Sequence, residues 1–150
     1  MRKFEVVRED MRKTNGDIIL PTRADKGSAG YDIYTPIDFV LEPKQTIMIP
    51  MDIKVSMEEN EVLLLYVRSS IGIKKKVVLT NGTGVIDSTY YNNPDNDGNI
   101  CGAFTNLGDE TQEFKAGDRI MQGVFVNYLT TNDDKPLNAT RVGGVGSTGA

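Results

Sequence analysis

Residues 62–91 read VLLLYVRSSIGIKKKVVLTNGTGVIDSTYY. Two apolar runs, 62–67 and 77–80, are rich in Val and Leu, and each stops at a polar turn. Short apolar runs bounded by turn residues predict strands rather than helices. Only Ser69–Lys75, between the two runs, reads as a short helix. The Asn-Gly-Thr-Gly at 81–84 supplies turn chemistry, and a Val85-Ile86 pair then carries a lone carboxylate, Asp87, at its end.

The same grammar holds on both sides of this stretch. Runs at 3–7, 18–20, 39–41, 46–49 and 120–126 are rich in Val, Ile, Leu, Tyr and Thr, and each is expected to be a strand. Most of the 15 glycines and 6 prolines fall between runs. No stretch keeps a helical apolar period beyond a turn or two. Many short strands with turns between them predict an all-β fold: a sandwich, a jelly roll or a barrel. There is no internal repeat and no linker. The division expected is a β domain over 1–140 and a tail, RVGGVGSTGA, over 141–150, too polar and glycine-rich to build a strand.

Composition narrows the chemistry. The 150 residues suit one domain with a real core. At 39% apolar and 25% charged they read as globular. A net charge of −4 argues against a non-specific nucleic-acid binder. One cysteine, Cys101, excludes an internal disulfide and suits a reducing, cytoplasmic setting. No apolar run approaches a membrane span, and MRKFEVVRED at the start lacks the apolar segment of a secretory signal. With no histidine, the commonest general base and zinc ligand is missing. Catalysis must use carboxylates, hydroxyls, arginines or an oxygen-ligated metal.

Two motifs are decoys. NPDNDG at 93–98 resembles the start of a calcium loop, but Phe104 stands where the bidentate glutamate belongs. GGVGSTG at 143–149 resembles a phosphate loop without its lysine. Its backbone N–H groups, with Arg141, Ser147 and Thr148, can still close over phosphates as a lid. The Lys74–Lys76 run reads as a solvated charge cluster.

AGYDI at 29–33, RSSIG at 68–72, NGTGVIDSTYY at 81–91, GDRIMQ at 117–122 and RVGGVGSTG at 141–149 occur in that order. Their order and spacing closely resemble the five motifs of the trimeric dUTPase family (deoxyuridine triphosphate nucleotidohydrolases), from about Leu20 onward. The resemblance implies a jelly-roll-like β-sandwich, a homotrimer with a swapped glycine-rich tail, and Mg²⁺-dependent hydrolysis of dUTP to dUMP and pyrophosphate. It implies that Asp87 orients and activates the water that attacks the α-phosphorus, and that Asp32 holds a hydrated Mg²⁺ through water. Arg68, Ser69, Ser70, Gln122, Arg141, Ser147 and Thr148 match the substrate contacts around the phosphates. Asn81, Gly84, Val85 and Ile86 match the segment whose backbone reads uracil. Tyr90 matches the residue that packs under the deoxyribose and blocks a 2′-hydroxyl.

This sequence departs from the family pattern in three places. Val145 stands where an aromatic usually lies between the tail glycines. Val142 alone separates Arg141 from the glycine pair. The segment YYNNPDNDGNI, from residue 90 to 100, is longer than the usual turn and is expected to extend a hairpin tip. Two other readings compete. A dCTP deaminase shares fold and trimer but needs a glutamate after the hairpin, which residues 100–104 do not offer. A phage-type regulatory protein would use the same nucleotide pocket as a switch for an unidentified partner.

Overall fold

Among the described residues every strand pairing is antiparallel, and most strands are short. The computed structural model describes residues 1–137 and Gly143. In chain order the strands are β1 (Lys3–Val6), β2 (Tyr31–Tyr34), β3 (Phe39–Leu41), β4 (Thr46–Pro50), β5 (Ile53–Ser56) and β6 (Glu61–Val67). Helix α1 (Ser69–Lys75) follows, then β7 (Val77–Leu79), β8 (Gly84–Asp87), β9 (Cys101–Asn106), β10 (Gln112–Phe114) and β11 (Arg119–Asn127).

One sheet has the order β2-β11-β6-β8 and a second the order β4-β9-β7, with the pairs β1-β5 and β3-β10 completing the layers. The result is an all-β, jelly-roll-like sandwich. Alternation along each strand builds its core. On β6, Leu63 and Leu65 turn inward and are buried, while Tyr66 is exposed. On β9, Gly102, Phe104 and Asn106 turn inward. Ile33, Met121, Leu63 and Leu65 share one core cluster with Phe104, Leu79, Val77 and Ile49. Each such side chain contributes about 1.5–3 kcal/mol when fully buried.

Helix α1 ends where Lys76 takes a left-handed conformation, φ 58°, and its N–H donates to the Ile71 carbonyl. That cap redirects the chain into β7. Between β7 and β8 the chain changes sheets, because β7 pairs with β9 and β8 with β6.

Two sequence expectations are corrected. Residues 18–20 form no strand; Ile19 and Leu20 are exposed, and pairing near there is limited to a single bridge between Thr22 and Asp32. Residues 91–99 do not extend a hairpin tip. They fold back on the body, where Lys54 donates to Asp97 at 2.9 Å and to Asn92 at 2.6 Å, and Asn99 pairs with Asp52.

Candidate functional site

A polar cavity of about 360 Å³ opens at one end of β2, β6 and β11. Asp32, Arg68, Ser69, Gln122 and Arg119 line it, with Gly30 at its wall. Register explains the gathering. Gln122 lies opposite Asp32 on one side and Tyr66 on the other, so the first two share the outer face of the sheet. Arg68 and Ser69 follow β6 directly, where the strand gives way to α1. Asp32 is gripped from two sides: Arg68 Nε stands 3.4 Å from Oδ1, and Arg119 Nη1 donates to Oδ2 at 3.2 Å. Arg68 also reaches the Arg119 carbonyl at 3.4 Å. Gly30 is needed by its neighbour, since a Cβ there would stand 2.4 Å from Gln122 Oε1.

Ser70 faces a second cavity of about 350 Å³ beyond Arg68, lined also by Lys75 and Arg119. The two cavities therefore share Arg68 and Arg119. Together they form a cation-rich mouth suited to a polyanion. Sequence reasoning did not single out Arg119, although the quoted GDRIMQ contains it. An arginine one residue before a buried Ile-Met pair was the available signal.

Asp87 stands elsewhere. It ends β8, the edge strand of the four-stranded sheet, lies opposite Val62 and is exposed. Val85, two residues earlier, is 59% exposed on the same face. An edge strand offers backbone N–H and C=O groups that no further strand takes up. That suits Gly84, Val85 and Ile86 to reading a planar ligand edge. Asn81, at the turn before β8, is exposed and donates to the Thr83 carbonyl at 3.4 Å. Tyr90 is only 8% exposed, and its hydroxyl donates to the Asn99 carbonyl at 2.8 Å.

The two groups do not meet within one chain. Arg68 lies six residues along β6 from Val62, the partner of Asp87, which is about 20 Å at a strand's rise. Asp32 is three strands across and four residues along, again about 20 Å away. Both groups nevertheless lie on one outer face. Leu64 and Val124 are half-buried between them, with Val85, Tyr66 and Val126 exposed nearby.

Arg141, Ser147, Thr148 and the tail boundary at 140 lie outside the described residues. Among the described residues, no three His, Cys, Asp or Glu side chains gather as a metal cage. In the segment resembling a calcium loop, Asp97 is taken by Lys54, while Asn93 and Asn96 bond within the loop. Burial pushes the Cys101 thiol up, which argues against a nucleophile there. No helix among the described residues is long and apolar enough to cross a membrane.

Comparison with known proteins matches residues 16–149 to the dUTPase family. The deoxyuridine 5'-triphosphate nucleotidohydrolase of Lactococcus lactis is 42% identical over 100% of this chain and 99% of that protein. The enzyme of the same name from Caulobacter vibrioides is 32% identical over 90% of this chain and 88% of its own. Among solved structures, the dUTPase of Streptococcus mutans superimposes with a TM-score of 0.76 and 38% identity, covering 86% of this chain and 98% of that one. The dUTPase of Staphylococcus aureus phage phi11, whose structure displays a species-specific insert, gives 0.72 and 25%, covering 92% and 97%.

Proposed function

The chain belongs to the dUTPase family, and we infer that it hydrolyses dUTP to dUMP and pyrophosphate at a site completed by a second protomer. The observation that carries the second part is the separation of about 20 Å between Asp87 and the Arg68–Asp32 cluster. A general base works only within hydrogen-bond reach of its water. The phosphate donors must touch the same triphosphate. Both conditions are met when Asp87 of one copy faces the cluster of the next across the exposed apolar strip. Contact between two different patches generates a closed ring if the rotation allows. The homotrimer implied by the resemblance is such a ring, and residues 141–150 are its lid-forming tail, separate from the 1–140 domain.

Within that site Asp87 accepts the proton of the attacking water and fixes its line of approach to the α-phosphorus. Phosphoryl chemistry asks mainly for positioning and charge stabilisation, so one fixed base suffices without histidine. Arg68, Arg119, Ser69 and Gln122 donate to the phosphates, with Ser70 behind them. Arg141, Ser147 and Thr148 close over the triphosphate and exclude water. The edge backbone of Gly84, Val85 and Ile86, with Asn81, pairs with uracil. A wrong base would leave those groups unpaired.

The donor set fits Mg²⁺. Asp32 is one carboxylate beside a phosphate site, and Mg²⁺ keeps several waters and takes few protein carboxylates. Bound there, Mg²⁺ would neutralise charge on the triphosphate. Asp32 would hold the hydrated ion through water while Arg119 keeps the carboxylate in place. The absence of any glutamate from β9 weighs against deamination of dCTP. A cytoplasmic location is consistent with this chemistry.

A panel of nucleoside triphosphates incubated with the protein and Mg²⁺, with products resolved by chromatography, tests the reading. dUMP and pyrophosphate from dUTP alone are expected. Release of inorganic phosphate with dUDP, or equal turnover of dCTP and dTTP, would overturn it.

A further inference from the structure

Much of the long loop 91–99 is organised around one side chain. The Tyr90 hydroxyl donates to the Asn99 carbonyl at 2.8 Å and accepts from Asn96 Nδ2 at 2.7 Å. The Asn96 amide is itself fixed. Its Oδ1 accepts from the Gly98 N–H at 3.0 Å and from Asn93 Nδ2 at 2.7 Å, so Nδ2 is the end turned to the hydroxyl. Asn93 Nδ2 also holds the Tyr90 carbonyl at 2.8 Å. Gly98, at φ +86°, lets the loop close, since a Cβ there would stand 2.9 Å from the Tyr90 carbonyl oxygen.

The loop is anchored from outside as well. Asp97 takes Lys54 at 2.9 Å and the Arg8 N–H at 2.8 Å. Asn99 donates to Asp52 at 2.8 Å and accepts the Asp52 N–H at 2.9 Å. Tyr91 donates to Glu5 at 2.6 Å. The Tyr90 hydroxyl is thus joined to a loop that is fixed to Asp52 through Asn99, to β5 through Lys54, which holds Asn92 and Asp97, and to β1 through Tyr91 and Glu5.

A steric wall rejects a substrate only as strongly as it resists being pushed aside. A tyrosine held through its ring packing alone can tilt; one tethered at its far end by two bonds cannot. We propose that Asn96 is a positioning residue for sugar selection: it locks Tyr90 upright, so that the ring refuses a 2′-hydroxyl. This rests on the reading of Tyr90 as the wall under the deoxyribose. Because the tether comes from the long loop, discrimination between dUTP and UTP is set by a segment that need not touch either nucleotide.

The test compares kcat/KM for dUTP and UTP in the wild type, Asn96→Ala, Tyr90→Phe, the double variant and Tyr90→Ala, with melting temperatures for each. Asn96→Ala is expected to lower the dUTP-to-UTP ratio by about three- to tenfold, the worth of one neutral hydrogen bond, and Tyr90→Phe, which deletes both bonds of the hydroxyl, by at least as much. The double variant should lose less than the product of the two, because both remove the same bond. Tyr90→Ala should lower the ratio further. A lowered melting temperature with an unchanged ratio in Asn96→Ala and Tyr90→Phe would mean the tether is structural only, and would overturn the proposal. An unchanged ratio in Tyr90→Ala as well would remove Tyr90 from sugar selection and the proposal with it. Should Asn96→Ala fail to fold, Asn96→Asp takes its place: it keeps the shape of the side chain and the acceptor for Gly98 and Asn93 but cannot donate to the hydroxyl, and an unchanged ratio in it would overturn the proposal.

Discussion

Replacing Asp97 by asparagine probes the anchor of the long loop with little change of shape. Lys54 and Asp97 are both buried and their charged atoms lie 2.9 Å apart. Asparagine removes the counter-charge and leaves an ammonium in the interior. Breaking a buried pair from one side costs about 3–5 kcal/mol. Lys54 keeps Asn92 at 2.6 Å and the Tyr91 ring at 5.1 Å, which places the expected loss near the lower end. For a chain of this size that is a fall in Tm of roughly 10 °C. The assay is thermal unfolding by circular dichroism at pH 7 and fixed protein concentration.

The acid side gives a second readout. Burial opposes ionisation of Asp97, but the Arg8 N–H and the Lys54 ammonium outweigh it and hold the carboxyl below its ordinary 3.8. A lowered carboxyl pKa contributes stability that is present above the unfolded value and lost as pH falls through the folded one. The wild type therefore loses this contribution in acid, the variant has none to lose, and the two melting temperatures converge. Adding Lys54→Met to Asp97→Asn should recover much of the loss, because no buried charge remains. A single variant melting within about 3 °C of the wild type at pH 7 would refute the reasoning.

Asp87→Asn should lower kcat by roughly 10²–10⁴ with dUTP binding kept, as expected for loss of a positioned base; turnover within threefold of wild type would remove Asp87 from the chemistry. Arg119→Gln should lower kcat/KM about ten- to a hundredfold, the worth of one charge-assisted hydrogen bond, and an unchanged value in steady-state kinetics would leave Arg119 with a structural duty only. Gly30→Ala forces Gln122 aside, because the new Cβ would sit 2.4 Å from its Oε1. It should weaken kcat/KM far more than Tm, and the reverse pattern would mean that Gln122 does not serve the site.

What the sequence made legible follows from range. The runs at 62–67 and 120–126 carry enough aliphatic residues to be read locally, and both became long strands of one sheet. β9 was missed because two of its inward positions are Gly102 and Asn106, so its alternation carries little apolar signal. β5, Ile-Lys-Val-Ser, does alternate as a short strand should, but the burial of Lys54 depends on Asp97, 43 residues later, which no local window shows. β8 was legible as the apolar Val85-Ile86 pair that ends at Asp87, but its place at the edge of the sheet was not. The return of residues 91–99 to the body rests on bonds to residues 5, 8, 52 and 54, which no local window contains. For the site, motif order drew attention to Asp32, Arg68, Gln122 and Asp87. It did not reveal that Arg119 grips Asp32, nor that Asp87 stands at the far end of the sheet. The first is a side-chain contact between two strands far apart in sequence, and the second comes from strand register.

Mixing two disabled subunits tests the shared site most directly. Asp87→Asn and Arg68→Ala each disable one half, and differently tagged copies can be co-expressed and purified as mixed trimers through both tags. In a ring whose sites each take Asp87 from one copy and Arg68 from the next, every mixed trimer retains one intact site, about one-third of wild-type activity. Each variant alone should be nearly inactive. Mixed trimers no more active than the two parents would contradict the shared site, because every chain would then carry its own damaged centre.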